Sequence, residues 1–107
     1  MLKSKRNGEC LRVYLSGEID HCTANVLRKE IEERISDPHV QNLILDFSGV
    51  SFIDSSAIGM IIGRYKTMMA KGGSINACDL SEGVERLYRI AGLHRIIPIT
   101  KSGGQHE

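Results

Sequence analysis

The sequence predicts an α/β fold: a single domain over residues 1–107 in which helices pack against a mixed, mostly parallel sheet. Strand-like and helix-like apolar patterns alternate in the order β-β-α-β-α-β-α-β, which is typical of parallel strands joined by right-handed crossovers. Residues 42–47 are apolar on both faces, as expected for a strand at the centre of such a sheet. The composition, 41% hydrophobic and 25% charged, is ordinary for a globular protein.

The first two strands are predicted to form a hairpin. Residues 10–15 alternate between apolar and polar side chains, which indicates a half-buried strand that ends at Ser16-Gly17. Residues 1–8 provide a candidate edge strand, in which Asn7-Gly8 favours a tight turn.

The first long helix is predicted from His21 to about Ser36. Asp20 is placed to cap its N-terminus, and Asp37-Pro38 ends it. Apolar residues recur at steps of three and four, so one face is expected to be buried: Ala24, Leu27, Ile31 and Ile35.

The second long helix follows an apolar stretch that the sequence divides in two. Residues 42–47 and the short segment 50–53 are separated by a predicted turn at Ser48-Gly49. The helix is predicted from about Ser55 to Ala70, with its end at Lys71-Gly72-Gly73. Its predicted core stripe comprises Ile58, Ile61, Ile62, Tyr65, Met68 and Met69.

Gly59 and Gly63 lie four residues apart in this helix. Glycine inside a helix is less favourable than alanine by about 1 kcal/mol, so both positions indicate a close approach to the backbone. Two explanations remain open: tight packing within the domain, and a docking surface for a partner. A membrane helix pair is not indicated, because Arg64, Lys66 and Lys71 are near.

The C-terminal part is predicted as a strand, a short helix and a last strand. Residues 74–78 form the first strand, Ser81 caps a helix that ends at Gly92, and residues 96–99 form the last strand. Residues 101–107 are expected to be a frayed tail. The inner face of the helix is expected to consist of Val84, Leu87, Tyr88 and Ala91.

Composition excludes several function classes. A net charge of +1 is too small for bulk attraction to nucleic acid or to a membrane surface. The apolar run Met60-Ile61-Ile62 is too short to span a bilayer, and residues 1–6 lack the apolar segment of a signal peptide. Three scattered cysteines indicate reduced thiols rather than a disulfide or zinc framework, so we expect a cytoplasmic protein.

A catalytic centre is not indicated either. Neither Ser55 nor Ser56 lies in a Gly-x-Ser-x-Gly frame, the four histidines lack metal-ligand spacing, and Lys71-Gly72-Gly73-Ser74 lacks the frame of a phosphate-binding loop. The pair His21-Cys22 fits an ordinary helix start better than a reactive thiol. We therefore expect a protein that is not an enzyme, with no metal and no cofactor. A hydrolase that pairs Ser55 with a distant histidine stays open.

The triplet Asp54-Ser55-Ser56 stands between the apolar segment and the second helix. Such residues are normal N-caps, but one residue is enough to cap a helix and here three polar residues follow one another. Unpaired N–H groups and the helix dipole favour negative charge at a helix N-terminus. The surplus hydroxyl is therefore a candidate for phosphorylation.

Four segments carry a family resemblance. They are Gly17-Glu18-Ile19-Asp20, Phe52-Ile53-Asp54-Ser55-Ser56-Ala57-Ile58-Gly59, Gly72-Gly73 and Leu87-Tyr88-Arg89-Ile90-Ala91-Gly92-Leu93. Together they resemble the anti-sigma factor antagonist family, which is built on the STAS domain, and most closely its sporulation members from spore-forming bacteria. The resemblance covers about residues 9–98.

The resemblance implies a STAS fold and a phosphorylation switch. Unmodified members bind an anti-sigma factor that is also a serine kinase, and so free a sigma factor. The kinase uses ATP to phosphorylate the serine after the motif aspartate, the product dissociates, and a phosphatase resets it. Carried over, the acceptor is Ser55. The expected partner-binding residues are Glu18, Asp20, Asp54, Ser55, Ser56, Ile58, Gly59 and Gly63.

One position departs from the family pattern. Ala57 stands where the family usually has glycine, which adds a methyl group beside Ser55 and puts the detail of docking and phosphorylation in question. We expect the free protein to be a monomer. A STAS scaffold or sensor that binds a nucleotide or small ligand is the alternative function, and the sequence does not indicate which sigma factor is controlled.

Overall fold

A computed structural model of the protein describes residues 2–101, in which three helices pack against a five-stranded sheet. The predicted order β-β-α-β-α-β-α-β is confirmed. The elements are β1 (Lys3–Asn7), β2 (Cys10–Ile19), α1 (His21–Ile35), β3 (Asn42–Ile53), α2 (Ser55–Ala70), β4 (Ser74–Cys78), α3 (Glu82–Ile90), a 3₁₀ turn (Leu93–Arg95) and β5 (Ile99–Thr100).

The strands lie side by side in the order β1-β2-β3-β4-β5. β1 runs antiparallel to β2, as the predicted hairpin requires, and every other pair of neighbours is parallel. The central β3 is therefore parallel to both neighbours, which agrees with its apolar sequence. Side chains from β2, β3, α1 and α2 share one hydrophobic core, which includes Leu11, Val13, Leu15, Ile31, Leu43, Leu45, Ile61 and Met68.

Two predicted turns lie inside long strands instead. The expectation that β2 ends at Ser16-Gly17 and that Ser48-Gly49 forms a turn is wrong: Ser16 pairs with Gly49 within the sheet. The register of β2 and β3 shifts on either side of this region, so the turn-forming residues make a β-bulge. Gly17 has a φ of +77°, and a Cβ on Gly49 would lie only 3.0 Å from the Cβ of Ser16. Glycine suits both positions for these reasons.

Helix α2 has the predicted bounds, but its buried face is wider than the predicted core stripe and is rotated about the helix axis relative to it. Met69, predicted as core, is 42% exposed, whereas Ile58, Ile62 and Tyr65 are half-buried against the core. The helix contacts α1 as well as the sheet, so its buried face covers two surfaces. The fully buried residues are Ala57, Met60, Ile61, Arg64 and Met68.

The C-terminal elements differ in detail from prediction. The last strand is Ile99–Thr100 and not 96–99, because Leu93–Arg95 form a 3₁₀ turn and Pro98 has no N–H for the sheet. Val84 and Tyr88 are buried in α3 as predicted. Ala91, which was expected on the inner face, is exposed because it lies at the C-terminal cap.

The ends of the chain are described only in part. β1 forms the edge strand, but Asn7 belongs to it and pairs with Cys10, so the tight turn is Gly8-Glu9 and not Asn7-Gly8, with Gly8 at a φ of +64°. Met1 and most of the tail predicted for 101–107 lie outside the described residues; Lys101 is exposed. Between residues 2 and 101, no helix has the length and apolar character needed to cross a membrane.

Candidate functional site

The C-terminal ends of β2 and β3 bring the candidate residues together. Ile19 and Ile53 are paired across these parallel strands, and a helix follows each of them. The N–H of Asp54 donates to the carbonyl of Ile19 at 3.3 Å, which joins the two strand ends directly. In parallel sheets of α/β proteins, this is the edge at which functional residues collect.

Asp54 is the N-cap of α2. Its Oδ1 accepts hydrogen bonds from the backbone N–H groups of Ser56, at 2.8 Å, and Ala57, at 3.1 Å. The helix therefore needs no further cap, and Ser55 and Ser56 are both spare hydroxyls. The two N–H groups that a phosphate on Ser55 could have used are already occupied by a carboxylate.

Ser55 is the first residue of α2 and is exposed. Its hydroxyl makes no hydrogen bond to any residue between 2 and 101. The side chain is thus accessible to another protein without any rearrangement of the fold. The following Ala57 is fully buried, so its methyl group points into the core and not toward a partner.

Glu18 and Asp20 add further negative charge at the C-terminal end of β2. Glu18 is exposed and lies within β2, which continues past its predicted end at Ser16-Gly17; only Asp20 leaves the strand. The Asp20 carboxylate accepts from the Thr23 N–H at 3.0 Å. Hydrogen bonds from the Thr23 backbone and hydroxyl lower the pKa of Asp20 below its usual range, so it is charged at neutral pH.

Ser56 points toward α1. Its Oγ lies 3.4 Å from Nδ1 of His21, the first residue of that helix. The contact is long for a hydrogen bond, and the imidazole is exposed. Ser56 and His21 together form one end of a groove between α1 and α2.

The remaining predicted residues extend along α2. Gly59 is exposed, while Ile58 and Gly63 are half-buried. A Cβ added at Gly59 or Gly63 would meet no atom within 4 Å. Tight packing inside the domain is therefore not the reason for either glycine. Gly63 lies a full turn farther from Ser55 than Gly59 does.

Sequence reasoning missed three residues at this site. Phe52 is 45% exposed beside Glu18, with which it is paired across the sheet. His21 and Arg28 line the groove beside Ser56. Nothing in the local pattern distinguishes Phe52 from a core residue, because the bulge that turns it outward depends on pairing with β2. Arg28 is one of several charged residues on α1, and only helix packing selects it.

A second polar cluster lies away from this edge. Asp46, Cys78 and Asp79 have donor atoms within 4.8 Å of one another, a spacing that could suit a metal ion. The Arg12 guanidinium supplies the positive charge in place of a metal ion: its Nη2 lies 2.7 Å from Asp46 and 3.3 Å from Asp79. Burial raises the pKa of Cys78 to about 11, so its thiol is protonated and a poor metal ligand.

Comparison with known proteins assigns the family. Residues 1–105 match the STAS domain. The chain is 40% identical over 89 residues to the anti-sigma F factor antagonist of Paenibacillus polymyxa. The aligned region covers 83% of this chain and 76% of the relative. It is 36% identical over 101 residues to the anti-sigma-B factor antagonist of Bacillus subtilis (strain 168), covering 94% and 91%.

A solved structure agrees with this result. The anti-sigma factor antagonist SpoIIAA, in its unphosphorylated form, is 25% identical and superposes with a TM-score of 0.82, covering 96% of this chain and 90% of that one. The fold and the family match thus define a STAS domain. The chain belongs to the STAS-domain anti-sigma factor antagonist family. Members of this family are non-enzymatic regulators, which confirms the prediction that the chain is not an enzyme.

Proposed function

We propose that this chain frees a sigma factor by binding its anti-sigma factor, and that phosphorylation of Ser55 switches this binding off. The anti-sigma factor is also the serine kinase that modifies Ser55, and a phosphatase restores the hydroxyl. The protein acts in the cytoplasm, as a single domain and a monomer when free. Sporulation is the process that the relative at 40% identity suggests.

One observation carries the proposal: the hydroxyl of Ser55 is exposed and unused at the start of a helix that Asp54 already caps. A structural serine at this position would be the cap itself. Here the fold leaves the hydroxyl in solvent without using it. Glu18, Asp20 and Asp54 lie at the same edge of the sheet and supply negative charge that a partner can recognise.

The same geometry supports a charge switch that needs no refolding. Phosphorylation adds about −1.5 to −2 charge at pH 7. Because Asp54 occupies the N–H groups of Ser56 and Ala57, the phosphate has few donors on its own chain and adds to an acidic corner. In the complex, it would be a desolvated and unpaired dianion. Such unmatched interfacial charges cost about 2–5 kcal/mol, or roughly 30-fold to several thousandfold in affinity.

The test uses the anti-sigma factor of the source organism, with binding measured by calorimetry and phosphorylation by mass spectrometry after incubation with ATP. Wild type should bind and gain one phosphate. Ser55→Ala should bind and gain none, whereas Ser55→Asp should bind at least about 30-fold more weakly. Ser56→Ala is the matched control for the acceptor and should still be phosphorylated.

Two results would contradict the proposal. Phosphorylation of Ser55→Ala together with loss of phosphorylation in Ser56→Ala would move the acceptor to Ser56. Undiminished binding by the phosphorylated wild type would remove the switch. A third measurement checks the mechanism: NMR shifts of the phosphorylated protein should change only near Ser55, because the fold is not expected to rearrange.

A further inference from the structure

A groove of about 270 Å³ runs between α1 and α2 beside the acceptor serine. Its floor is apolar, since Ala24 and Met60 are both buried. Its sides are polar and come from both helices, with Ser56 and His21 at one end and Arg28 farther along α1. The groove therefore continues the surface that carries Ser55, on the side of the helix that faces α1.

Gly59 opens this groove. It lies one turn after Ser55 within α2 and is exposed. A Cβ there would project into space with no atom within 4 Å. Alanine at this position would thus favour the helix by about 1 kcal/mol without a clash. The fold gives no reason for glycine, but a partner chain that lies against the helix backbone does.

Arg28 gives the groove its charge. Its Nη2 donates to Oδ1 of Asn25 at 2.9 Å, so the guanidinium is oriented by a neutral partner. Across residues 2–101, Arg28 forms no ion pair. The groove lining contains no carboxylate. An arginine that is oriented but uncompensated, above an apolar floor, is suited to a planar carboxylate.

Three carboxylates of the chain near the groove are already engaged. Asp20 and Asp54 cap α1 and α2 through backbone N–H groups. Glu32 lies 2.8 Å from Nε of the buried Arg64, an ion pair that joins α1 to α2. None of these three lines the groove. Glu32 and Glu33 line a neighbouring depression together with Arg28, but neither forms an ion pair with it among residues 2–101, so the charge of Arg28 remains available to a partner.

We propose that this groove is a specificity site for an acidic side chain of the anti-sigma factor. The carboxylate binds Arg28, and the backbone next to it passes over Gly59. This inference rests on the proposed function, because it assigns part of the same docking surface. It also gives the surface two signs of charge: acidic around Ser55 and basic in the groove. A partner must match both, which fixes its orientation and excludes related partners.

The predicted contact between Arg28 and a carboxylate is tested by calorimetry with the anti-sigma factor. Arg28→Ala should weaken binding about tenfold, and Arg28→Glu about a hundredfold or more, because it places two carboxylates together. Arg86→Glu is the matched control: Arg86 is exposed on α3 and does not line the groove. Arg86→Glu makes the same charge change outside the groove. Its affinity for the anti-sigma factor should therefore stay within about twofold of wild type.

The shape half is tested by Gly59→Ala. Its melting temperature should stay equal or rise, because alanine favours the helix and meets no atom. Its affinity should nevertheless fall about tenfold, because the methyl group occupies space that the partner needs. Gly83→Ala is the control, since Gly83 lies in α3, is exposed and has equally open space around it. It should leave affinity unchanged.

The outcomes separate this inference from the proposed function. If Ser55→Asp loses binding while Arg28→Glu and Gly59→Ala bind as wild type, the groove is not used and the switch stands. If Arg28→Glu keeps its affinity but loses phosphorylation, the inference is also overturned, because the groove then serves phosphoryl transfer and not docking. If wild type does not bind the anti-sigma factor, both proposals fail.

Discussion

Two carboxylate-rich regions of the molecule use their charges in opposite ways. On the face of the sheet that carries Arg12, Asp46 is 3% exposed and receives two hydrogen bonds from the Arg12 guanidinium. At the edge of the sheet, Asp20 and Asp54 receive hydrogen bonds from backbone N–H groups that carry only partial charge. The first cluster is neutralised inside the chain, and the second projects its charge outward.

This difference supports the proposal that the edge of the sheet, and not the face that carries Arg12, meets a partner. A neutralised cluster contributes to folding and has little left to attract another molecule. A set of carboxylates that only cap helices remains available, and so does the oriented Arg28 beside them. The proposed functional surface is thus the place where the fold satisfies hydrogen bonds but leaves net charge.

Asp46→Ala tests the structural side of the comparison and should have the largest effect on stability. The substitution leaves the partly buried Arg12 guanidinium without its closest partner, so the free energy of unfolding should fall by about 2 kcal/mol. Asp79→Asn is the control, because that contact is longer, at 3.3 Å, and more exposed; it should cost less than about 1 kcal/mol. Urea denaturation measures both.

The same variant should leave the partner-facing side intact. The folded fraction of Asp46→Ala should bind the anti-sigma factor within about twofold of wild type, because the cluster lies away from Ser55. A large loss of affinity at unchanged stability would reverse the assignment of the two regions.

Asp54→Ala tests the edge region and should have a smaller effect on stability. It removes the cap from two N–H groups, so the free energy of unfolding should fall by about 1 kcal/mol. Asp54→Asn retains an oxygen acceptor and should stay within about 0.5 kcal/mol of wild type. If both variants lost the same stability, the charge of Asp54 and not its capping bonds would hold the helix.

Acid titration should give the smallest and most selective difference. Burial raises the pKa of Asp46, but hydrogen bonds from Ser48 and from Arg12 outweigh it, and the net pKa lies below the usual range. A carboxylate with a lowered folded-state pKa stabilises the fold above the unfolded value, about pH 4, and loses this contribution as pH falls through the folded value. Wild type should therefore lose stability below about pH 4.

Asp46→Asn provides the comparison for that titration. It should be less stable than wild type at pH 7, and the gap should narrow below about pH 4, because a protonated Asp46 resembles asparagine. Urea denaturation at pH 7, 5 and 3 measures the gap. A gap that stays constant with pH would show that the charge of Asp46 does not contribute.

Local patterns in the sequence were enough to place most elements. Asp20, Asp54 and Ser81 cap their helices as predicted, because an N-cap depends on a side chain and the N–H groups two or three residues later. The apolar residues 42–47 indicated the central parallel strand for an equally local reason: a strand buried on both sides has few polar positions. The exposure of Ser55 followed from the same local pattern, because one N-cap residue is enough for a helix and the next hydroxyl is not needed for capping.

Long-range pairing decided the rest. Ser16-Gly17 and Ser48-Gly49 have the composition of turns, and only the pairing of β2 with β3 makes them a bulge that extends both strands and exposes Phe52. Arg64 is buried because α1 supplies Glu32, which no local pattern in α2 records. The sequence by itself determined the order of the elements and the helix caps, and it indicated Ser55 as the proposed acceptor. The groove that contains Arg28 exists only because two helices start at one edge of the sheet. Contacts between distant segments leave no periodic signal in the sequence of either segment.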